Sequence, residues 1–204
     1  MNKVIDEWVD VWDGANLVWS YLDLPESLIP NFYHAPLGVD SGVFHPHDVD
    51  KEYLVLVSSK NYLSESTREV FKAAEAVGGK VAYLGRDLGR EGVDYYTEIT
   101  DGELAELYSK CRYVTGLRRT EGFELPAAEG LLCGARPIVF DRTHYLDWYK
   151  DFAVTIPETH RDQIVEDLIR AFKLPYRYVT ISEIRRAQKI FNWKDIVEDF
   201  WRWL

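Results

Sequence analysis

Residues 120–139, TEGFELPAAEGLLCGARPIV, decide the fold. Glu121 and Glu129 stand eight positions apart, the first in a glycine-containing loop and the second inside a short amphipathic helix predicted over 125–133. Gly134 supplies a C-terminal stop, and the apolar run RPIVF at 136–140 is a strand. A turn, a helix and a strand in that order put a helix N-terminus, with its unpaired N–H groups and partial positive charge, at the end of a sheet. Anionic ligands bind at such a place.

The pattern extends outward in both directions. RYVTGL at 112–117 is the preceding strand, and Thr100 with Glu103 forms a capping box for a helix over 102–110 that turns Leu104, Leu107 and Tyr108 inward. YLVLV at 53–57 is a continuous apolar run, as in strands buried on both faces of a parallel sheet. A covering helix over 64–77 places Thr67, Phe71, Ala74 and Val77 at helical spacing and stops at Gly78-Gly79. KVAYL at 80–84 is the next strand, followed by a Gly-rich charged loop over 85–95 and a short strand over 97–100. Beyond residue 140 come a Trp- and Tyr-rich loop, a strand near 152–156 and helices over 159–173, 181–191 and 193–204. At the other end, Val4, Ile5, Trp8, Val9 and Trp12 predict a helix over 2–12, with a short strand at 15–20 and another entering a turn over 32–40. This alternation predicts an α/β fold, a single Rossmann-like domain with a parallel, doubly wound sheet.

With 204 residues, 47% hydrophobic and 14% aromatic, the chain is able to bury one core. A formal net charge of −10 argues against nucleic-acid partners, which clustered Lys and Arg would bind. Cys111 and Cys133 read as buried free thiols in a reducing compartment. No signal-like segment or long apolar run is evident, so a cytoplasmic protein is expected. The five histidines show no metal-site spacing and read as surface or turn residues. The tail carrying Phe191, Trp193, Phe200, Trp201 and Trp203 reads as helix packing against the sheet, with a peripheral membrane contact as the alternative.

TEGFELPAAEGLLCGARPIV also resembles the signature of the retaining glycosyltransferases of family four: Ser or Thr before E-G-F, seven residues between two glutamates, then C-G and P-V. WSYLDLPES at 19–27, LGVDSGVFHP at 37–46 and LAELYSKCRYV at 104–114 fall in that family's order, and the likeness covers almost the whole chain. The resemblance implies the GT-B architecture, two Rossmann-like domains across a cleft, with this chain as the C-terminal one. Residues 31–204 are then the nucleotide-sugar-binding domain, and 1–30 a helix and short strand left from the inter-domain region.

The implied reaction moves a sugar from a nucleotide-diphosphate sugar to an unidentified acceptor with retained configuration, without metal or other cofactor. By resemblance Glu129 takes the ribose hydroxyls. Glu121 contacts the hexose and stabilises positive charge at the anomeric carbon, and the backbone N–H groups of Gly122, Phe123 and Leu125 face the cleft. Glu124 stands where the family has Gly or another small residue close to the sugar. A helix N-terminus contributes only about 0.3–2 kcal/mol toward an anion, so cationic side chains are needed as well. The family's diphosphate clamp is an Arg and a Lys; Lys60 falls at the Arg position and Glu65 or Ser66 at the Lys position, with Arg68 one turn on as a substitute. An extra residue in 134–137 is expected to shift Arg136 toward the cleft, and His45 and His47 to flank a turn near the acceptor. The alternatives are a non-catalytic nucleotide-sugar-binding module and one completed by a second copy or a separate N-terminal-domain protein. A sugar-nucleotide epimerase is a further one. A glycosidase pair is disfavoured, because the resemblance assigns Glu129 to ribose.

Overall fold

In the computed structural model, which describes residues 14–23, 31–58 and 66–204, six strands form one wholly parallel sheet. The helix expected over 2–12 and Lys60 lie outside the described residues. A small parallel pair, β1 (Val18–Ser20) and β2 (Phe32–His34), precedes the main sheet. That sheet contains β3 (Tyr53–Ser58), β4 (Val81–Leu84), β5 (Val93–Tyr96), β6 (Cys111–Gly116), β7 (Arg136–Phe140) and β8 (Val154–Ile156). The helices are α1 (Thr67–Ala76), α2 (Asp101–Ser109), α3 (Leu125–Leu132), α4 (Thr143–Tyr149), α5 (Arg161–Lys173), α6 (Ile181–Ile190) and α7 (Trp193–Trp203).

The strand order is β5-β4-β3-β6-β7-β8, so the winding reverses between β3 and β6. Their register pairs Leu56 with Val114, and both side chains are fully buried, as the continuous apolar runs require. At such a reversal the crossover connections leave in opposite directions and open a crevice outside the carboxyl ends of the two strands, here Ser58 and Gly116.

Most predicted elements recur within a few residues. Two expectations fail for stated reasons. The short strand lies at Val93–Tyr96, not at 97–100; as an edge strand whose residues are all partly exposed, it carries no continuous apolar run. The expected Trp- and Tyr-rich loop is α4, which buries Tyr145 and Tyr149 one turn apart on a single face.

Arg136 does not turn toward the crevice. As the first residue of β7 it sits at the amino end of the sheet, where Nη1 donates to Phe152 O at 2.6 Å, Nε to Arg177 O at 2.9 Å and Nη2 to Tyr178 O at 3.0 Å. Its guanidinium also meets Glu183, itself the N3 residue of α6 in a capping box with Thr180. The same end is closed by Lys51, whose Nζ donates to Gly134 O at 2.9 Å and whose pKa burial draws down to about 8. Cys111 and Cys133 are free and buried.

Helix α7 lies over the β1–β2 pair: Trp19 meets Trp193 at 5.5 Å between centroids, Tyr33 meets Phe200 at 5.8 Å, and Tyr33 donates to Asp199 at 2.9 Å. Trp201 and Trp203 remain exposed, while Phe191 is fully buried. Among the described residues no helix is long and apolar enough to cross a membrane.

Helix α3 lies close on β6 because Gly130 has no side chain. A Cβ there would come within 2.6 Å of Val114 Cγ1 and 3.2 Å of Tyr108 Cδ1. Gly130→Ala is therefore expected to cost about 1–3 kcal/mol through overpacking, more than the roughly 1 kcal/mol that helix propensity returns. Urea unfolding measures the difference.

Candidate functional site

The crevice is walled by the connection from β6 to α3, residues 117–124, and several side chains fix that connection from below. Leu117 is buried, and its carbonyl accepts from the Ser66 N–H at 3.1 Å, tying the start of α1 to the end of β6. Arg118 Nη2 donates to Ser58 O at 3.0 Å, across the strand reversal. The Tyr145 hydroxyl lies 3.0 Å from Glu121 O, 3.1 Å from Glu124 Oε1 and 3.2 Å from Arg118 O, one proton serving three acceptors. Arg142 donates to Arg119 O and to Glu158, both at 2.6 Å, and Arg119 reaches Glu158 as well. Phe123 is buried among Tyr21, Tyr149 and Phe191. A loop held this way keeps its backbone still while the Glu121 side chain remains exposed.

Glu129 lies one turn into α3, partly buried, and accepts from the Tyr108 hydroxyl of α2 at 3.0 Å. Burial lifts its carboxyl to about 7, against the Tyr108 hydrogen bond and the Arg118 charge, which favour ionisation. Near neutral pH such a group switches between a pure acceptor and an acid.

Glu124 departs from its expected place beside the sugar. It is fully buried at the N-cap position of α3 without capping the helix. Its carboxylate turns inward to Arg118, accepting from the backbone N–H at 3.2 Å and from Nη1 at 3.2 Å. Burial raises its pKa to about 7, opposed by Arg118 and the Tyr145 hydrogen bond. Gly116 leaves the room for this: a Cβ there would stand 2.8 Å from Glu124 Cγ. The carboxylate is thus engaged in the core rather than presented to a ligand.

Gly122 lies against the Tyr21 ring, and Leu125 opens α3 ahead of Pro126, which has no N–H. Arg68 is exposed on the first turn of α1. Among the described residues, Arg118, which the sequence analysis does not single out, is a cation brought to the crevice. Its signal was its place, the first residue after a predicted strand and three before Glu121. His144, read with the other histidines as a surface or turn residue, is half-buried instead. It is not a free surface group: burial and then Arg142 lower its pKa, it shares a hydrogen bond with the Glu121 backbone, and its Nε2 is buried without a partner.

Among the described residues no three His, Cys, Asp or Glu side chains are grouped to hold a metal ion. A cavity of about 560 Å3 lined by Phe71, Glu75, Lys80 and Arg90 opens at the amino ends of β4 and β5. Ligands of open parallel sheets bind at the opposite, carboxyl, ends.

No family model and no curated protein matches the chain. Solved structures do match its fold, among them glycosyltransferases of the GT-B architecture. Sucrose-phosphate synthase from Thermosynechococcus elongatus aligns with a TM-score of 0.72 at 16% identity, over 97% of this chain and 60% of that one. HepE from Anabaena, solved with UDP and glucose, aligns with a TM-score of 0.78 at 11% identity, over 97% of this chain and 65% of that one. The pneumococcal O-GlcNAc transferase GtfA, solved with UDP and GlcNAc, gives 0.75 at 14% identity, over 98% and 47%. The chain thus has the fold of the C-terminal half of a GT-B glycosyltransferase and spans less than two thirds of the length of these structures.

Proposed function

We propose that this chain binds a nucleotide-diphosphate sugar at the carboxyl ends of β3 and β6 and forms the donor half of a retaining glycosyltransferase. The observation that carries the proposal is Glu129: a partly buried carboxylate, oriented by Tyr108, on the helix that opens at the strand reversal. Ionised, it accepts from both hydroxyls of a ribose. The loop N–H groups of Gly122, Phe123 and Leu125 receive sugar or leaving-group oxygens. Glu121, exposed on a loop whose backbone is anchored, faces the anomeric carbon and stabilises the charge that develops as the diphosphate departs.

Ligand-observed NMR with UDP-, GDP- and ADP-sugars tests donor binding and identifies the base together; binding of none of them refutes the proposal. Glu121→Gln is expected to lower sugar transfer about 100-fold with donor affinity changed only severalfold, the pattern for a group acting on transition-state charge. A second reading is a donor-binding module that transfers only with a second chain, whether a copy of itself or an acceptor-binding domain protein. GtfA, whose fold this chain shares over 98% of its length, has also been solved as a GtfA/B complex, which favours it. Donor binding without transfer until such a protein is added distinguishes the two.

A further inference from the structure

The start of α1 faces the same crevice and carries two hydroxyls that the fold does not use. Ser66 occupies the N-cap position, where a serine hydroxyl ordinarily accepts from an amide of the first turn, yet no such bond forms. Its Oγ and the Oγ1 of Thr67 are buried and without a hydrogen-bond partner, in residues only 3% and 1% exposed. Both line a cavity of about 10 Å3 with Ser58, Thr115, Leu117 and Arg118. That volume is close to the least that accommodates a single water, so it admits one oxygen atom and not a whole phosphate. Buried hydroxyls left unpaired are costly, and their persistence calls for a partner.

The surroundings favour an anionic oxygen. The first-turn amides of α1 are uncapped by a side chain and carry the positive end of the helix dipole. Arg118 stands across the cavity, set by Glu124 and by Ser58 O, and its charge also reaches Glu129. Glu69, the acidic residue of the first turn, pairs instead with Arg161 of α5.

We propose that Ser66 and Thr67 at the N-terminus of α1, with Arg118 opposite, form an oxyanion seat that receives one phosphate oxygen of a nucleoside diphosphate. The inference rests on the donor-binding reading above and specifies how the phosphate is held. Two neutral hydroxyl donors take the place where a lysine was expected, and the positive charge comes from the β6 side. Glu124 acts as a positioning residue for Arg118.

The test is Ser66→Ala/Thr67→Val, which removes both hydroxyls with little change of shape. Calorimetric titration would use UDP, GDP, ADP, the matching nucleosides, inorganic pyrophosphate and glucose 6-phosphate, alongside thermal melts. The expected result is a loss of at least about tenfold in affinity for pyrophosphate and for the nucleoside diphosphate that binds. Nucleoside affinity should not change, and Tm should stay level or rise, because no internal bond is lost. Unchanged diphosphate affinity overturns the seat; a fall in Tm alongside it would assign the hydroxyls to an internal water. Wild-type protein that binds neither pyrophosphate nor any nucleoside diphosphate overturns it too. A loss confined to glucose 6-phosphate assigns the seat to a phosphorylated acceptor and refutes the diphosphate. If wild type binds pyrophosphate in a hydroxyl-dependent way but no nucleotide, the seat stands and the donor reading falls.

Discussion

On the proposed donor-binding role, Glu129→Gln is expected to lower nucleoside-diphosphate affinity about 100-fold and to make the empty protein more stable above pH 7. Two ribose hydroxyls donating to a carboxylate contribute hydrogen bonds to a charged group, and losing most of about 3 kcal/mol corresponds to that factor. The stability change has the opposite sign. Burial raises the folded-state pKa of Glu129 to about 7 from the ordinary 4.5. A carboxyl raised in this way binds its proton more tightly when folded, so its cost to stability is absent below about pH 4.5 and grows as pH rises to about 7. Gln keeps an oxygen for the Tyr108 hydroxyl and never ionises, so it removes on the order of 2 kcal/mol of that cost at pH 8. Thermal melts at pH 4.5 and pH 8, paired with calorimetry on UDP, GDP and ADP, check both halves. A variant that binds nucleotide as well as wild type would remove Glu129 from the donor site.

Glu183→Ala destabilises the fold by about 3–5 kcal/mol at neutral pH, the usual cost of breaking one partner out of a buried ion pair. Its carboxylate accepts from Arg136, Arg177 and the Thr180 N–H and hydroxyl, and the residue is only 6% exposed. Burial alone would raise its pKa, but the Thr180 and Arg136 interactions outweigh it and hold the carboxyl at about 2. A depressed pKa of this kind contributes fully above about pH 4.5 and is lost as pH falls toward 2. The gap between wild type and Glu183→Ala in urea unfolding should therefore narrow across that window and stay constant between pH 5 and 8. A constant gap down to pH 2 would show that the pair does not supply the stability.

The two sites differ in how far they were legible. The capping box of Thr100 and Glu103 and the apolar run at 53–57 depend on residues a few positions apart, and the structure reproduces both, the run as the strand Tyr53–Ser58. The helix that follows Glu121 and carries Glu129 was likewise legible, because Pro126 and the stop at Gly134 specify it locally. Arg118 and Arg136 were not. Each lies at an end of an apolar strand, and no local pattern says which cation turns to the crevice and which into the core.

Periodicity and capping act over one or two turns, so residue order is enough to specify the parallel alternation, the helix that opens at the strand reversal and the spacing from Glu121 in the loop to Glu129 in that helix. Where the charges go depends on the assembled sheet. Arg118 finds Ser58 sixty residues away, and Arg136 finds Glu183 at a separation of 47. Glu124, the last residue of the connection from β6 to α3, is drawn inward by Arg118 and by Tyr145 from α4. A buried charge settles where its partners are, and strand order, not local sequence, brings those partners together.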